Sequence, residues 1–236
     1  TGEEIDSLVN NTSAHGGLIS YKHSADGTQS PYAVNINYFD ALSDPNALIP
    51  SPESPSPFGR GARGEGERES LAQQLNRFIA AQAIMLSLVG VPGIYFHSRF
   101  GSRGWTEGVR QTGRNRTINR EKCQFDELQN QLADENSLRF KVFKRYSQLL
   151  KARSGSAAFH PHGMQTVLNL HPSVFALERI SPDKKSRVLC LHNVSEKKLS
   201  FTTNYKSATD LLTGHEIQIS NLTLEAYQVL WINMKG

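Results

Sequence analysis

Apolar residues recur every three or four positions up to about residue 160, and every second position beyond it. Ile5, Leu8 and Val9 predict a short amphipathic helix over 2–12, closed by Gly16 and Gly17. Leu71, Leu75, Phe78, Ile79, Met85 and Leu86 predict a longer helix opening at Ser70. Its last turns are apolar on most sides, which embeds it between other layers. Gly90-Val91-Pro92-Gly93 stops it, and Ile94-Tyr95-Phe96 reads as a short buried strand, so the pair forms half of an α/β unit. Phe140, Phe143, Tyr146, Leu149 and Leu150 stripe a further helix over 137–152. The runs 167–170, 174–180, 188–192, 199–203 and 226–232 read as strands, with turn signals at Ser181-Pro182-Asp183 and Thr213-Gly214. In the last run Tyr227, Val229 and Trp231 face one way while Leu230 and Ile232 face the other. The expectation is an α/β region over 1–159 followed by a small antiparallel β-sandwich over 160–236.

Polar stretches separate these elements. Residues 17–29 are polar around an Ala25-Asp26-Gly27 turn signal, and 31–39 read as extended or irregular. The proline- and glycine-rich run over 50–66 predicts a flexible surface insertion. An apolar fraction of 38% and a charged fraction of 20% belong to a folded chain rather than a disordered one. The net charge of +4 is small, and its basic residues form no long run, which argues against a nucleic-acid partner. Cys123 and Cys190 are far apart without a CxxC and read as free thiols in a reducing compartment. Glu3, Glu4 and Asp6 exclude a signal peptide in the first residues. Gln82, Ser87, Gly90 and Pro92 interrupt the most apolar window, 78–96, so it reads as core rather than a membrane span. A cytoplasmic protein without a membrane partner is expected.

Chemistry is sparse. Asp40, between aromatic residues, suits a cap or a structural hydrogen bond better than acid–base work. Glu65, Glu67 and Glu69 read as solvated loop charge. His15, His23, His97, His160 and His162 lack ligand spacing, so no metal site is expected. The glycines over 59–66 lack the closing Gly-Lys-Ser/Thr of a phosphate loop, and GxSxG is absent; no cofactor is implied. The segment 111–120 is sharper, because Arg114, Arg116 and Arg120 converge with asparagines in an irregular stretch. Guanidinium forks suit hydroxyls, carboxylates or phosphate. Pairing with acids to fasten a long loop is an equal alternative on these residues alone.

Gly113-Arg114-Asn115-Arg116-Thr117-Ile118-Asn119-Arg120 resembles the Gly-Arg-x-Ile-Asn-Arg signature of bacterial sucrose-phosphorylase-like members of the α-amylase superfamily. The runs 32–42, 77–96, 210–214 and 224–232 resemble further stretches of that family in the same order. The resemblance implies that 1–159 is the C-terminal remnant of a (β/α)8 barrel, followed by the family's C-terminal β domain. It also implies retaining transfer of a glucosyl group from an α-glucoside to inorganic phosphate. The family's catalytic carboxylates follow barrel strands 4, 5 and 7, so they are expected upstream of Thr1, with no catalytic residue here and no activity in this chain alone.

By resemblance Arg116 reaches the bound glucose and Tyr32 lies on the acceptor-side loop, while Asn119 and Arg120, with Arg114, brace the arginine loop. Ser30-Pro31-Tyr32-Ala33 departs from the family's Asp-Leu-Tyr-Gln, which implies a glucoside other than sucrose, of the glucosylglycerate kind. The barrel portion that is absent here is the implied partner of 1–150, with oligomerisation as another way to cover it. A non-catalytic carbohydrate-binding or structural module is the other reading of the chain.

Overall fold

The computed structural model describes residues 1–44, 70–203 and 207–234; the insertion read over 50–66 lies outside the described residues. The chain divides into two compact units, Thr1–Gln74 with Arg103–Glu121, and Leu75–Ser102 with Lys122–Gly236. This division differs from the one drawn by hydrophobic period: the two long helices group with the C-terminal strands.

In the first unit, helix α1 (Gly2–Ala14) opens on Thr1, whose side chain accepts from the Glu4 amide. A hairpin follows, β1 (Leu18–His23) paired antiparallel with β2 (Gln29–Asn35). A Cβ on Gly17 would stand 2.6 Å from Thr12 Cγ2 and 2.9 Å from the Cβ of Ile36, so only glycine lets α1 turn into β1 this tightly. Asp26 Oδ1 accepts from the Thr28 amide at 2.9 Å and Gly27 takes φ +84°, which closes the turn. Then come α2 (Tyr38–Leu42), and after Arg103 the helix α5 (Thr106–Thr112) and a 3-10 turn over Asn115–Asn119.

In the second unit, α3 (Leu71–Ser87, from Leu75 onward) buries Leu75, Phe78, Ile79, Ala83 and Leu86. Beyond it lie α4 (Phe96–Arg99), α6 (Phe125–Ala133) and α7 (Leu138–Gly155). Ser137 caps α7 by accepting from the Phe140 amide at 2.9 Å. Val142, Tyr146 and Leu149 are the stripe that α7 buries, with Phe140 and Phe143 only partly covered.

Ten strands are described in all. Six of them form one sheet in the order β3 (Met164–His171), β4 (Val174–Ile180), β5 (Arg187–Asn193), β10 (Val229–Asn233), β7 (Ser207–Asp210), β8 (Glu216–Gln218). The pair β6 (Leu199–Thr202) and β9 (Asn221–Leu224) forms a second layer. Ala176, Leu191 and Leu230 lie side by side across the sheet and join Leu222 and Leu224 of β9 in one core. The next residue along each strand turns to the opposite face, where Leu177, Cys190 and Trp231 align. There Trp231 packs on Phe159 at 4.8 Å between ring centroids. Both faces are therefore covered, and a two-layer β unit is present as expected, one layer being only two strands wide. The Asp210-Leu211-Leu212-Thr213-Gly214 turn is tied by Asp210, which accepts from the Leu212 amide at 3.1 Å and from Thr213 Oγ1 at 2.8 Å.

Two strand assignments change. Ile94-Tyr95-Phe96 is no strand: 91–95 is irregular, Phe96 opens α4, and all three side chains are more than a third exposed. Every strand pair among the described residues is antiparallel, so this apolar run has no parallel neighbour to bond with and no barrel portion is seen. The last strand starts at Val229 instead of Ala226, because Tyr227 takes φ +55° and leaves the extended region. The turn at Ala25-Asp26-Gly27 and the extended character after Pro31 are legible in the sequence, but the pairing of β1 with β2 is not, since much of both strands is exposed. Among the described residues no helix is long and apolar enough to cross a membrane, and Cys123 and Cys190 form no disulfide there.

Candidate functional site

The arginine-rich segment is built on main-chain and packing contacts inside the first unit. Trp105 opens α5, and its ring lies so close over Gly108 that a Cβ there would sit 2.1 Å from Trp105 Cε3. Gly113 ends the helix in the left-handed region at φ +65°, with its amide donating to Val109 O at 2.8 Å. The chain then tightens into the 3-10 turn, where the Thr117 amide donates to Arg114 O at 3.0 Å and the Arg120 amide to Thr117 O at 2.9 Å. Ile118 is the apolar anchor at 2% exposure, and its carbonyl accepts from the Trp105 amide at 2.9 Å, which closes the segment on itself.

The turn is fastened to the hairpin. Asn115 Nδ2 donates to Ile19 O of β1 at 3.0 Å. Tyr32 on β2 is the extra residue of a β-bulge: Ser20 pairs with Ala33 and Tyr21 with Pro31, leaving Tyr32 without a partner across the ladder. A bulge re-aims a side chain, and the Tyr32 ring is 62% exposed. Arg114, Arg116 and Arg120 are exposed, Asn115 and Asn119 half-buried. Among the described residues no carboxylate pairs with Arg114, Arg116 or Arg120, whereas Arg110 pairs with Glu107 at 3.2 Å. The alternative in which acids neutralise these arginines finds no support at those three positions. Asn115, which sequence reading did not single out, supplies the visible brace; nothing in its type or spacing set it apart from Asn119.

Asp40, the carboxylate framed by aromatic residues, has a structural part. It accepts from the Gly104 amide at 2.6 Å and from Arg103 Nε, while Arg103 lies over the Phe39 ring at 5.2 Å. Both its oxygens are engaged, so it is not poised for acid–base work. The arrangement as a whole can present guanidinium donors and a phenol to a polar ligand.

In fold the chain resembles one part of each of two solved structures. It superposes on sucrose 6F-phosphate phosphorylase from Thermoanaerobacter thermosaccharolyticum with a TM-score of 0.57 at 17% identity, covering 90% of this chain and 35% of that one. On AmyP in complex with maltose the TM-score is 0.53 at 16% identity, covering 67% of this chain and 34% of the other. In sequence it resembles glucosylglycerate phosphorylases. It is 39% identical over 246 residues to that of Spirochaeta thermophila, covering 98% of this chain and 38% of the relative. It is 34% identical over 229 residues to that of Escherichia coli, covering 97% of this chain and 37% of the relative. The chain thus spans little more than a third of the length of the curated relatives it matches. No family model matches it.

Proposed function

We propose that this chain is the sugar-framing, C-terminal portion of a cytoplasmic retaining α-glucoside phosphorylase. In that reading the full-length enzyme moves a glucosyl group from glucosylglycerate, or a related glucoside, to inorganic phosphate. The helical part over 1–159 belongs to a (β/α)8 barrel whose strands and catalytic carboxylates lie in the rest of the enzyme, and 160–236 is the C-terminal β domain. The observation that carries the reading is the exposed Arg116, without a carboxylate partner among the described residues, on a turn braced by Asn115 to the hairpin that displays Tyr32. An unpaired guanidinium can donate to sugar hydroxyls, and such charge-assisted bonds are roughly twice as strong as neutral ones. The names of the curated relatives support the acid-bearing glucoside.

The test is phosphate-dependent release of glucose 1-phosphate. In the full-length enzyme Arg116→Ala is expected to lower turnover at least about tenfold, the loss of one charge-assisted contact. Near-normal turnover would remove Arg116 from the site. The chain alone is expected to release none, and activity in it would contradict the placing of the carboxylates elsewhere.

A further inference from the structure

We infer that Asp40 and Arg103 form a latch whose task is to position the Arg116 turn, an assignment that rests on the sugar-framing role proposed for Arg116. Four contacts converge on one short piece of chain. Asp40 accepts from Arg103 Nε and from the Gly104 amide, the latter at 2.6 Å. Asn37 Nδ2 donates to Arg103 O at 2.8 Å. The Arg103 guanidinium covers the face of Phe39, which is itself 1% exposed. The α2 region thereby grips residues 103–104 from main chain and side chain together.

The grip is transmitted to the arginine turn by contact. A side chain at Gly104 would be tight: a Cβ there would meet Ile118 Cγ1 at 3.1 Å and Asp40 Oδ2 at 3.2 Å. Ile118 is the buried anchor of the 3-10 turn, and its carbonyl takes the amide of Trp105, the residue after Gly104. Asp40 is thus hydrogen-bonded to Gly104, and the next residue, Trp105, to Ile118, two residues from Arg116. The Asp40 side chain is 14% exposed and that of Arg103 41%, so the pair sits at the edge of solvent and is a weak source of stability. A carboxylate that takes a main-chain amide and a guanidinium, in contact with the anchor of the only turn carrying Arg116, orders a loop more than it stabilises a fold.

Three substitutions separate the contacts. Asp40→Ala removes both, Asp40→Asn keeps an acceptor for the Gly104 amide but loses the charge, and Arg103→Gln loses the ion pair and the cover over Phe39 while leaving Asp40 on the Gly104 amide. Hydrogen–deuterium exchange on this chain, read on peptides over 103–120, is expected to quicken about tenfold in Asp40→Ala and several-fold in the other two, with α1 unchanged. Unchanged exchange over 103–120 in all three overturns the latch. If Asp40→Ala fails to fold, the two milder variants still decide the matter.

In the full-length enzyme Asp40→Asn is expected to lower kcat for phosphorolysis at least about fivefold, with little change in KM for phosphate. In an Arg116→Ala background the same substitution is expected to cost less than twofold, because it acts through that arginine. A full fivefold loss on top of Arg116→Ala would mean general weakening and would sink the assignment. If no variant or parent shows phosphorolysis, the proposed activity falls, while the exchange measurement still judges the latch.

Discussion

Arg179→Met is expected to lower the melting temperature of the chain by roughly 10 °C, the largest single loss available outside the apolar core. Arg179 is fully buried on β4, and its three nitrogen groups donate to three main-chain carbonyls. Nε reaches Met164 O at 3.2 Å, Nη1 reaches Ser87 O at 3.0 Å and Nη2 reaches His160 O at 3.0 Å. Arg153 of α7 complements it, donating to Leu86 O, to Leu88 O at 3.3 Å and to Gly90 O at 2.6 Å. Together the two cap the C-terminal end of α3, where the last carbonyls lack helical partners and the helix dipole favours positive charge. Burial, followed by the charge of Arg153, presses the Arg179 guanidinium below its ordinary pKa. Methionine fills the space and leaves the carbonyls without donors, at a cost of about 3–5 kcal/mol. Arg179→Lys keeps the charge but has no fork to serve three oxygens, so it is expected to recover only part of the loss. Calorimetry or circular dichroism decides this; a Met variant melting within about 2 °C of the parent would show that the carbonyls find other donors.

Acid is expected to unfold the β unit through His192. The ring is completely buried beside Trp231, with Nδ1 donating to Phe175 O at 3.0 Å and Nε2 facing the Trp231 indole nitrogen at 3.4 Å. Burial pulls its pKa from 6.5 down to about 4. The unfolded chain therefore takes up a proton near pH 6.5 that the folded chain refuses until about pH 4. The neutral ring's contribution is fully present above pH 6.5 and drains away as the pH falls through that window, by about 3 kcal/mol in all. Urea denaturation followed by tryptophan fluorescence at pH 7.5, 5.5 and 4.5 measures this, with His192→Gln as the reference. Carboxylates common to both proteins cancel in the difference. Parallel pH dependence in the two would remove His192 as the acid-labile group.

What the sequence disclosed follows from which residues are covered and by what. The strand over Val174–Ile180 was legible at both ends, because apolar residues dominate a run that both layers bury. Charged Glu178 and Arg179 interrupt that run, yet strand pairing on both sides holds them in register. The pairing of β1 with β2 was illegible, since the outer halves of both strands are exposed and Pro31 with the Tyr32 bulge breaks the alternation. At Ile94-Tyr95-Phe96 apolarity suggested a strand, but ladder partners make a strand, and this chain supplies none there. Arg116 stood out by motif. Its brace, Asn115, and its latch, Asp40 with Arg103, come together only across 63 to 96 residues of intervening chain.

The hydrogen bonds of the arginine joint at the end of α3 all end on main-chain oxygens. Arg153 and Arg179 address residues 86, 87, 88, 90, 160 and 164 through their carbonyls, and every amino acid carries one. At the exposed positions among these the side chain can be exchanged without touching the joint. Evolution can therefore rewrite the surface around the seam between helix and sheet while the fastening itself is kept by two residues.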